Sequence, residues 1–326
     1  MPARRPLVIH VAVDARDLDR DWRGIARYVR AVLTRFAARD DVRVTLVRRG
    51  PFGQRAPRDA DVVWHPWNGT FFTARAPSVV TFHDAVPFRF PPADPRRRAN
   101  DQTPWLRSAA QARSFLANSH FTAGEVSTYL GVAPERQTVT LLAVERDVFA
   151  PAGEAARLPD GRPYVLFVGA DEPRKNLRTL ADAHERAFPN AEVALVVAGG
   201  APPPGVRATA LGALDPAALA RWYRGALLVA VPSWYEGFGF PLLEAMACGA
   251  PAVASRATSL PEVGGQAPCW IDDPLDVAAW CDALRALAAD AAARARLRDA
   301  GLARAATFSW ERCAEETLAV LRRAAR

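Results

Sequence analysis

Short apolar runs alternate with amphipathic stretches along most of the chain, and this alternation predicts repeated strand–helix–strand units. Residues 7–13 read as a first buried strand. Gly24 then opens a helix on which Ile25, Tyr28, Val29, Val32, Leu33 and Phe36 share one face. Further strands are expected over 42–47, 61–64, 78–82, 114–118 and 137–142, with a helix over 121–130. Runs this short and this apolar suit a parallel sheet covered on both faces.

The pattern breaks over 143–163, where Pro151, Gly153, Pro159, Gly161 and Pro163 interrupt a polar, Ala-rich span. That span reads as an interdomain linker. A second α/β unit follows, with strands over 164–168, 192–198 and 227–231 and a helix over 177–187. Asp215 is a good cap for a helix from Ala217, and Pro202, Pro203 and Pro204 mark a loop. Ala-rich helices are expected over 276–287 and 290–305, and Ser309 caps a last helix over 310–326. The length suits two domains, 1–150 and 151–308, with 309–326 as a terminal helix. In doubly wound sheets, ligands bind outside the carboxyl ends of the strands.

Composition narrows the partners. Of 326 residues, 50% are apolar and 24% charged, as in an ordinary globular protein. A net charge of +7 and a pI near 9.8 favour anionic partners such as a nucleotide diphosphate, an anionic lipid surface or nucleic acid. No zinc-finger spacing, RNA-binding aromatic signature or helix-turn-helix is evident, so nucleic acid is set aside. Cys248, Cys269, Cys281 and Cys313 form no C-x-x-C, which fits a reducing cytoplasm. The opening MPARRPLVIHVAVDARD reads as a strand, not a signal peptide, and no apolar run reaches membrane-spanning length. A nicotinamide enzyme is disfavoured, because no G-x-G-x-x-G follows the first strand.

Candidate chemistry concentrates in VPSWYEGFGFPLLEAMACGAPAV, residues 231–253. It reads strand, tight loop, helix. Gly237 and Gly239 keep the loop bare, Pro241 suits a first helical turn, and Gly249 stops the helix. Amides at a helix start attract anions, and Glu236 and Glu244 bracket that start. Phosphate-binding amides beside carboxylates for hydroxyl groups suit a nucleotide sugar. A second loop, GADEPRKN over 169–176, carries Arg174 and Lys175 from a strand end to a helix start, which suits a diphosphate. Asp59-Ala-Asp61 is a D-x-D tripeptide, but it precedes its strand and reads as a surface turn. His65, after the strand over 61–64, is a second candidate for contact with a sugar or acceptor, with a structural role the favoured reading; His10, His120 and His184 read as structural or surface residues.

The 231–253 stretch resembles the retaining glycosyltransferases of family 4, whose E-x7-E motif Glu236 and Glu244 match. GIARYV, TFHDAVP, NSHFT and PRKN carry the likeness through the rest of the chain. The resemblance implies an α/β GT-B fold of two doubly wound Rossmann-like domains facing a central cleft. The first would be the acceptor side and the second the nucleotide-sugar side, with 309–326 crossing back to the first. Lys175 matches the Lys of the family's G-R-x-x-x-x-K diphosphate loop, while Ala170 replaces its Arg; Arg174 is expected to supply that second charge. His83 matches a family His in T-x-H, and Gly24 matches a small-residue loop. The implied catalytic residues are therefore His83, Arg174, Lys175 and Glu236. The implied donor-binding residues are Gly24, Glu236, Gly237, Phe238, Gly239, Phe240 and Glu244.

The expected activity is retaining transfer of a hexose from a nucleotide diphosphate sugar to an acceptor hydroxyl, with no divalent metal and no cofactor. GDP-mannose is the favoured donor, with UDP- and dTDP-sugars as the others; the acceptor is a glycan, a lipid-linked glycan or a small molecule. A sugar-nucleotide epimerase, a phosphorylase-like enzyme and a non-catalytic nucleotide-sugar-binding subunit are the rival readings. Arg96, Arg97 and Arg98, near Phe88, Phe90 and Trp105, read as a solvated loop, with contact to an anionic membrane as the alternative. The expected location is cytoplasmic, with that membrane contact peripheral.

Overall fold

The computed structural model describes residues 8–19, 24–49, 53–170 and 172–326. Residues 1–7, including the first residue of the expected opening strand, and Asp171 of the GADEPRKN loop lie outside the described residues. The chain divides into two units: the residues up to Leu142 together with Ser309–Arg326, and Ala143–Phe308.

The first unit holds a sheet of β1 (Ile9–Asp14), β2 (Val42–Val47), β3 (Val62–His65), β4 (Ser78–Phe82), β5 (Ser114–Ala117) and β6 (Gln137–Val139). Their spatial order is β2-β1-β3-β4-β5-β6, and every neighbouring pair is parallel. All six residues of β1 are buried, the polar His10 and Asp14 among them, as in a strand covered on both faces. Its helices are α1 (Gly24–Ala37), α2 (Val86–Arg89), α3 (Pro95–Gln111) and α4 (His120–Leu130).

The second unit holds β7 (Tyr164–Gly169), β8 (Ala194–Gly199), β9 (Thr209–Gly212), β10 (Leu228–Val231), β11 (Ala252–Ser255) and β12 (Cys269–Ile271). Their order is β12-β11-β10-β7-β8-β9, again parallel throughout. Its helices are α5 (Leu177–Ala187), α6 (Pro216–Gly225), α7 (Phe240–Ala247), α8 (Leu260–Gly264), α9 (Val277–Ala289) and α10 (Ala291–Ala305). Both units are therefore doubly wound α/β folds, as the alternation predicted.

The last helix, α11 (Trp310–Ala325), packs in the first unit. Trp310 sits 6.3 Å from the Tyr28 ring, and Tyr28 meets Trp64 edge-on at 5.7 Å. Leu318 and Leu321 are buried beneath the helix. Ser309 caps it by accepting the Arg312 N–H at 3.2 Å. Charges complete the seam: Arg35 pairs with Glu311 at 2.7 Å, Arg39 with Glu315, and Arg322 with Asp41 at 2.5 Å.

The structure corrects the sequence reading at several points. The expected linker is not free-standing: Phe149 packs on Tyr223 at 6.2 Å, and the Arg224 side chain donates to the carbonyls of Val148, Ala150 and Glu154. These residues belong with the second unit, which begins at Ala143. Arg96–Arg98 lie in the first turn of α3, not in a loop. Asp94 starts that helix by accepting the Arg96 N–H at 2.9 Å. Its early turns are exposed and Pro104 lies inside it, so no apolar period announces it. Strands β9, β11 and β12 and helices α2 and α8 were also not anticipated, each being five residues or shorter.

The α11 seam yields a pH prediction. Arg39 and Arg322 hold the Asp41 carboxyl well below the usual carboxylate range, and Arg35 brings Glu311 to about 2. A depressed folded-state value means stabilisation that is present above the unfolded value, near 4, and lost as pH falls through the folded one. Asp41→Asn should destabilise by about 1 kcal/mol at pH 7, the scale for a partly exposed pair. Denaturant titrations should show the gap to the wild type shrinking between about pH 5 and 2. A gap that stayed constant over that range would rule out the ion pair as its source.

Candidate functional site

The order of the second sheet reverses at one place. β7 and β10 are neighbours, but β7 continues to β8 on one side and β10 to β11 on the other. Their carboxyl ends, Gly169 and Val231, therefore flank a crevice, the usual ligand position in a doubly wound sheet. The two loops singled out from the sequence both leave from this point.

The loop after β7 tightens into a 3₁₀ turn over Pro173–Lys175. Asn176 then takes a left-handed conformation at φ 58°, which asparagine tolerates better than most residues. Its buried amide donates to the carbonyls of Pro232 at 3.1 Å and Pro274 at 2.7 Å. The Trp234 backbone N–H donates to Arg174 O at 3.0 Å, and its indole N–H to Pro173 O at 2.9 Å. These bonds fasten the cationic loop to the loop that carries Glu236.

The charges then converge. Lys175 Nζ lies 2.6 Å from Glu236 Oε1, and the Ser233 hydroxyl donates to the same oxygen at 2.8 Å. Arg174 Nη1 stands 3.5 Å from Glu236 Oε2 and also donates to Tyr235 O at 3.3 Å. The Glu236 side chain is 8% exposed and that of Lys175 12%. Burial alone would raise the Glu236 carboxyl; Lys175 and Arg174 overcome that and hold it below its ordinary value. Such a group is ionised at neutral pH.

Beyond Glu236 the chain turns into α7. Gly239 sits at φ 105°, and a Cβ there would come within 2.6 Å of Leu260 Cδ2, so only glycine fits. No side chain caps α7, and Pro241 occupies its first turn. Phe238 points into the core, edge-on to Phe240 at 5.5 Å and Phe308 at 6.1 Å, so any ligand contact it makes is through its backbone. Glu244 lies one turn inside α7, is 2% exposed, and accepts the Tyr223 hydroxyl on Oε2 at 2.8 Å.

The sequence profile "Glycosyl transferases group 1" matches residues 162–290, and "Glycosyltransferase Family 4" matches 53–148. O-antigen chain mannosyltransferase B of Escherichia coli is 33% identical over 266 residues, 74% of this chain and 69% of that protein. The chain belongs to the group 1 glycosyltransferases. A D-inositol 3-phosphate glycosyltransferase of Segniliparus rotundus is 35% identical over 243 residues, 67% of this chain and 54% of that protein. Among solved structures, sucrose-phosphate synthase from Thermosynechococcus elongatus superposes with a TM-score of 0.75 at 20% identity, covering 97% of this chain and 98% of that one. HepE of Anabaena, solved with UDP and glucose, gives 0.72 at 17%, covering 97% and 99%. The fold of this glycosyltransferase is thus GT-B.

Of the sequence-predicted residues, Arg174, Lys175, Glu236, Gly237, Phe238, Gly239, Phe240 and Glu244 come together in the second unit. Gly24 and His83 belong to the first. Gly24 is the first residue of α1. His83 follows β4, is buried, and meets the Tyr28 ring at 5.1 Å. Its Nε2 stands 2.9 Å from the Pro66 carbonyl, which can only accept, so Nε2 carries the proton. Burial pushes its pKa down to about 4. His83 is therefore neutral at pH 7. Asp59 and Asp61 of the D-x-D tripeptide are tied up locally: Asp59 pairs with Arg43, and Asp61 accepts the His10 N–H at 2.7 Å.

Sequence reasoning overlooked Ser233, Asn176 and Tyr223 as partners of the site. It also overlooked a signal in plain view. Lys175 is the only lysine in the glycosyltransferase; the other 41 of its 42 Lys and Arg residues are arginine. A chain that otherwise uses guanidinium throughout keeps a compact ammonium at this one point, where a tetrahedral donor fits against Glu236.

The Lys175–Glu236 pair can be measured directly. Lys175→Ala should cost about 3 kcal/mol of stability, because it leaves a buried carboxylate with one distant cation. The Lys175→Ala/Glu236→Gln double variant should cost less than the sum of the singles by about 1–3 kcal/mol. Additive losses in a denaturation cycle would show that the two side chains do not interact.

Proposed function

We propose that this glycosyltransferase moves a hexose from a nucleotide diphosphate to an acceptor hydroxyl, with retention at the sugar carbon and without a divalent metal. The convergence of Lys175 and Arg174 on Glu236, at the switch point beside α7, is the observation that carries this reading. As the sugar bond breaks, negative charge grows on the leaving diphosphate. Lys175 and Arg174 neutralise it, the role a metal ion fills elsewhere. Without donor, Glu236 holds both cations in position. With donor, the phosphate oxygens share them, and Glu236 accepts hydrogen bonds from sugar hydroxyls. Backbone amides of Gly237–Phe240 hold phosphate and sugar oxygens, and Glu244 accepts from the ribose diol. His83 and Gly24 serve the sugar and acceptor side, His83 as a neutral hydrogen-bonding group.

GDP-mannose is the preferred donor, supported by the relative named as a mannosyltransferase. The neighbour solved with UDP and glucose keeps UDP-glucose in the test panel. A glycan or lipid-linked glycan is the acceptor. Charge is distributed unevenly over the chain: the first unit carries 26 arginines against 16 carboxylates, a net +10, and the second 16 Lys and Arg against 19 carboxylates, a net −3. Arg96, Arg97 and Arg98 stand exposed on α3, and Leu106 on the same helix is 51% exposed. These features support contact of the first unit with an anionic membrane face. Among the described residues, no helix is long and apolar enough to cross a membrane.

Steady-state kinetics on GDP-mannose and UDP-glucose, with and without EDTA, test the mechanism. Activity should survive EDTA. Lys175→Ala should lower kcat by roughly 10²–10³-fold, the scale for one lost donor at a developing anion, and Lys175→Arg should not restore it. Glu244→Gln should mainly raise donor KM, by about 10-fold or more, because the ribose gains no charge in the reaction. Restoration by Mg²⁺ after EDTA would overturn metal independence, and a Lys175→Ala effect confined to KM would overturn its role. Release of free sugar without transfer, or use of inorganic phosphate, would point to the rival activities.

The membrane reading predicts binding to phosphatidylglycerol vesicles that weakens with salt and falls by about 1 kcal/mol for each Arg→Ala change at 96–98. Equal binding to phosphatidylcholine vesicles would contradict it.

A further inference from the structure

The turn between β11 and α8 holds three consecutive residues, Thr258, Ser259 and Leu260, that touch the glutamate loop at consecutive points. Thr258 Oγ1 accepts the backbone N–H of Glu236 at 3.0 Å. The Ser259 hydroxyl shares its proton between the carbonyls of Glu236 and Phe238, each at 2.9 Å. Leu260 lies against the bare backbone of Gly239. Both peptide groups of Glu236 are thus fixed by side chains from a segment more than twenty residues further along the chain.

Two oddities mark this turn as more than a connection. Thr258 stands at φ 53°, a left-handed conformation that a β-branched residue seldom adopts. Ser259 occupies the helix-cap position of α8, yet it makes no cap bond to that helix. Serine in that position ordinarily accepts from the helix's own amides. Here it turns outward to Glu236 instead. Glycine would suit the backbone at 258 better, so the threonine is held there for its hydroxyl.

We propose that Thr258 and Ser259 are positioning residues that set the direction of the Glu236 carboxylate, and so the enzyme's grip on the donor's sugar as distinct from its diphosphate. The proposal rests on the nucleotide-sugar reading given above. The diphosphate cations come from a different loop, and Arg174 and Lys175 receive no hydrogen bond from Thr258 or Ser259. Removing the Thr258 hydroxyl, which bonds Glu236 alone, should therefore free Glu236 and spare the nucleoside diphosphate.

Thr258→Gly is the decisive variant, because it removes the hydroxyl while relieving the backbone. Its melting temperature should equal or exceed that of the wild type. Hydrogen exchange at the Glu236 amide should nevertheless speed up. Calorimetric titration with GDP against GDP-mannose, and UDP against UDP-glucose, should show the sugar nucleotide weakened about 3- to 10-fold, the loss expected for one hydrogen bond, with the diphosphate unchanged within twofold. Thr258→Ser keeps the hydroxyl and should behave as wild type, whereas Ser259→Ala, which also frees the Phe238 carbonyl among the phosphate-holding amides, should weaken both ligands. Unchanged exchange and unchanged affinity for both ligands in Thr258→Gly would overturn the proposal. Equal loss of both ligands with a lowered melting temperature would reduce the turn to a structural brace. Wild-type protein that bound neither pair would instead overturn the nucleotide-sugar reading, and this proposal with it.

Discussion

A buried carboxylate must be neutralised where it stands, and Glu236 imposes that condition on the second unit. Its cations cannot come from its own loop, so they are delivered from the loop after β7. That delivery needs β7 and β10 side by side with their carboxyl ends level, which the reversal in strand order supplies. It also needs two irregular loops held rigid, which Asn176, Trp234, Thr258 and Ser259 achieve with backbone hydrogen bonds. The regular part of the fold places two loop ends together; polar side chains then determine the conformation of each loop.

The sequence made the regular part legible for a simple reason. Strands such as β1, β3 and β10 are buried on both faces, so apolar residues dominate them, and helices such as α1 carry one clean face. Where burial is partial the signal fails. β9 is an exposed edge strand, and α3 projects its basic early turns into solvent with only Trp105 and Ser108 buried. The polar composition of 143–163 gives no sign of the buried Phe149 or of the backbone carbonyls that Arg224 gathers.

The site was legible to the same degree and for a related reason. E-x7-E and PRKN are each confined to one strand–loop–helix passage, so their place at a strand end and helix start, together with the family resemblance, suggested their chemistry. That Lys175 would lie on Glu236 itself was not visible, because 61 residues separate them and the contact depends on strand order. Thr258 and Ser259 were invisible for the same reason: their relation to Glu236 runs through β11, a strand of four residues that no pattern announced. His83 was expected at a strand's carboxyl end, which is correct, yet its burial and its carbonyl partner make it a neutral group and not a proton carrier near pH 7.

The solitary lysine has a practical consequence. Amine-directed reagents ordinarily scatter over a protein's surface and report on nothing in particular. In this chain the only side-chain amine is Lys175, mostly buried and paired with Glu236, so apart from the α-amino group such reagents have one destination. Acylation there would convert a cation into a neutral amide at the centre of the site, and the fraction of chain labelled would count the molecules whose site was open. The mass of the peptide that contains Lys175 thereby becomes a gauge of occupancy, without a radioactive donor or a known acceptor.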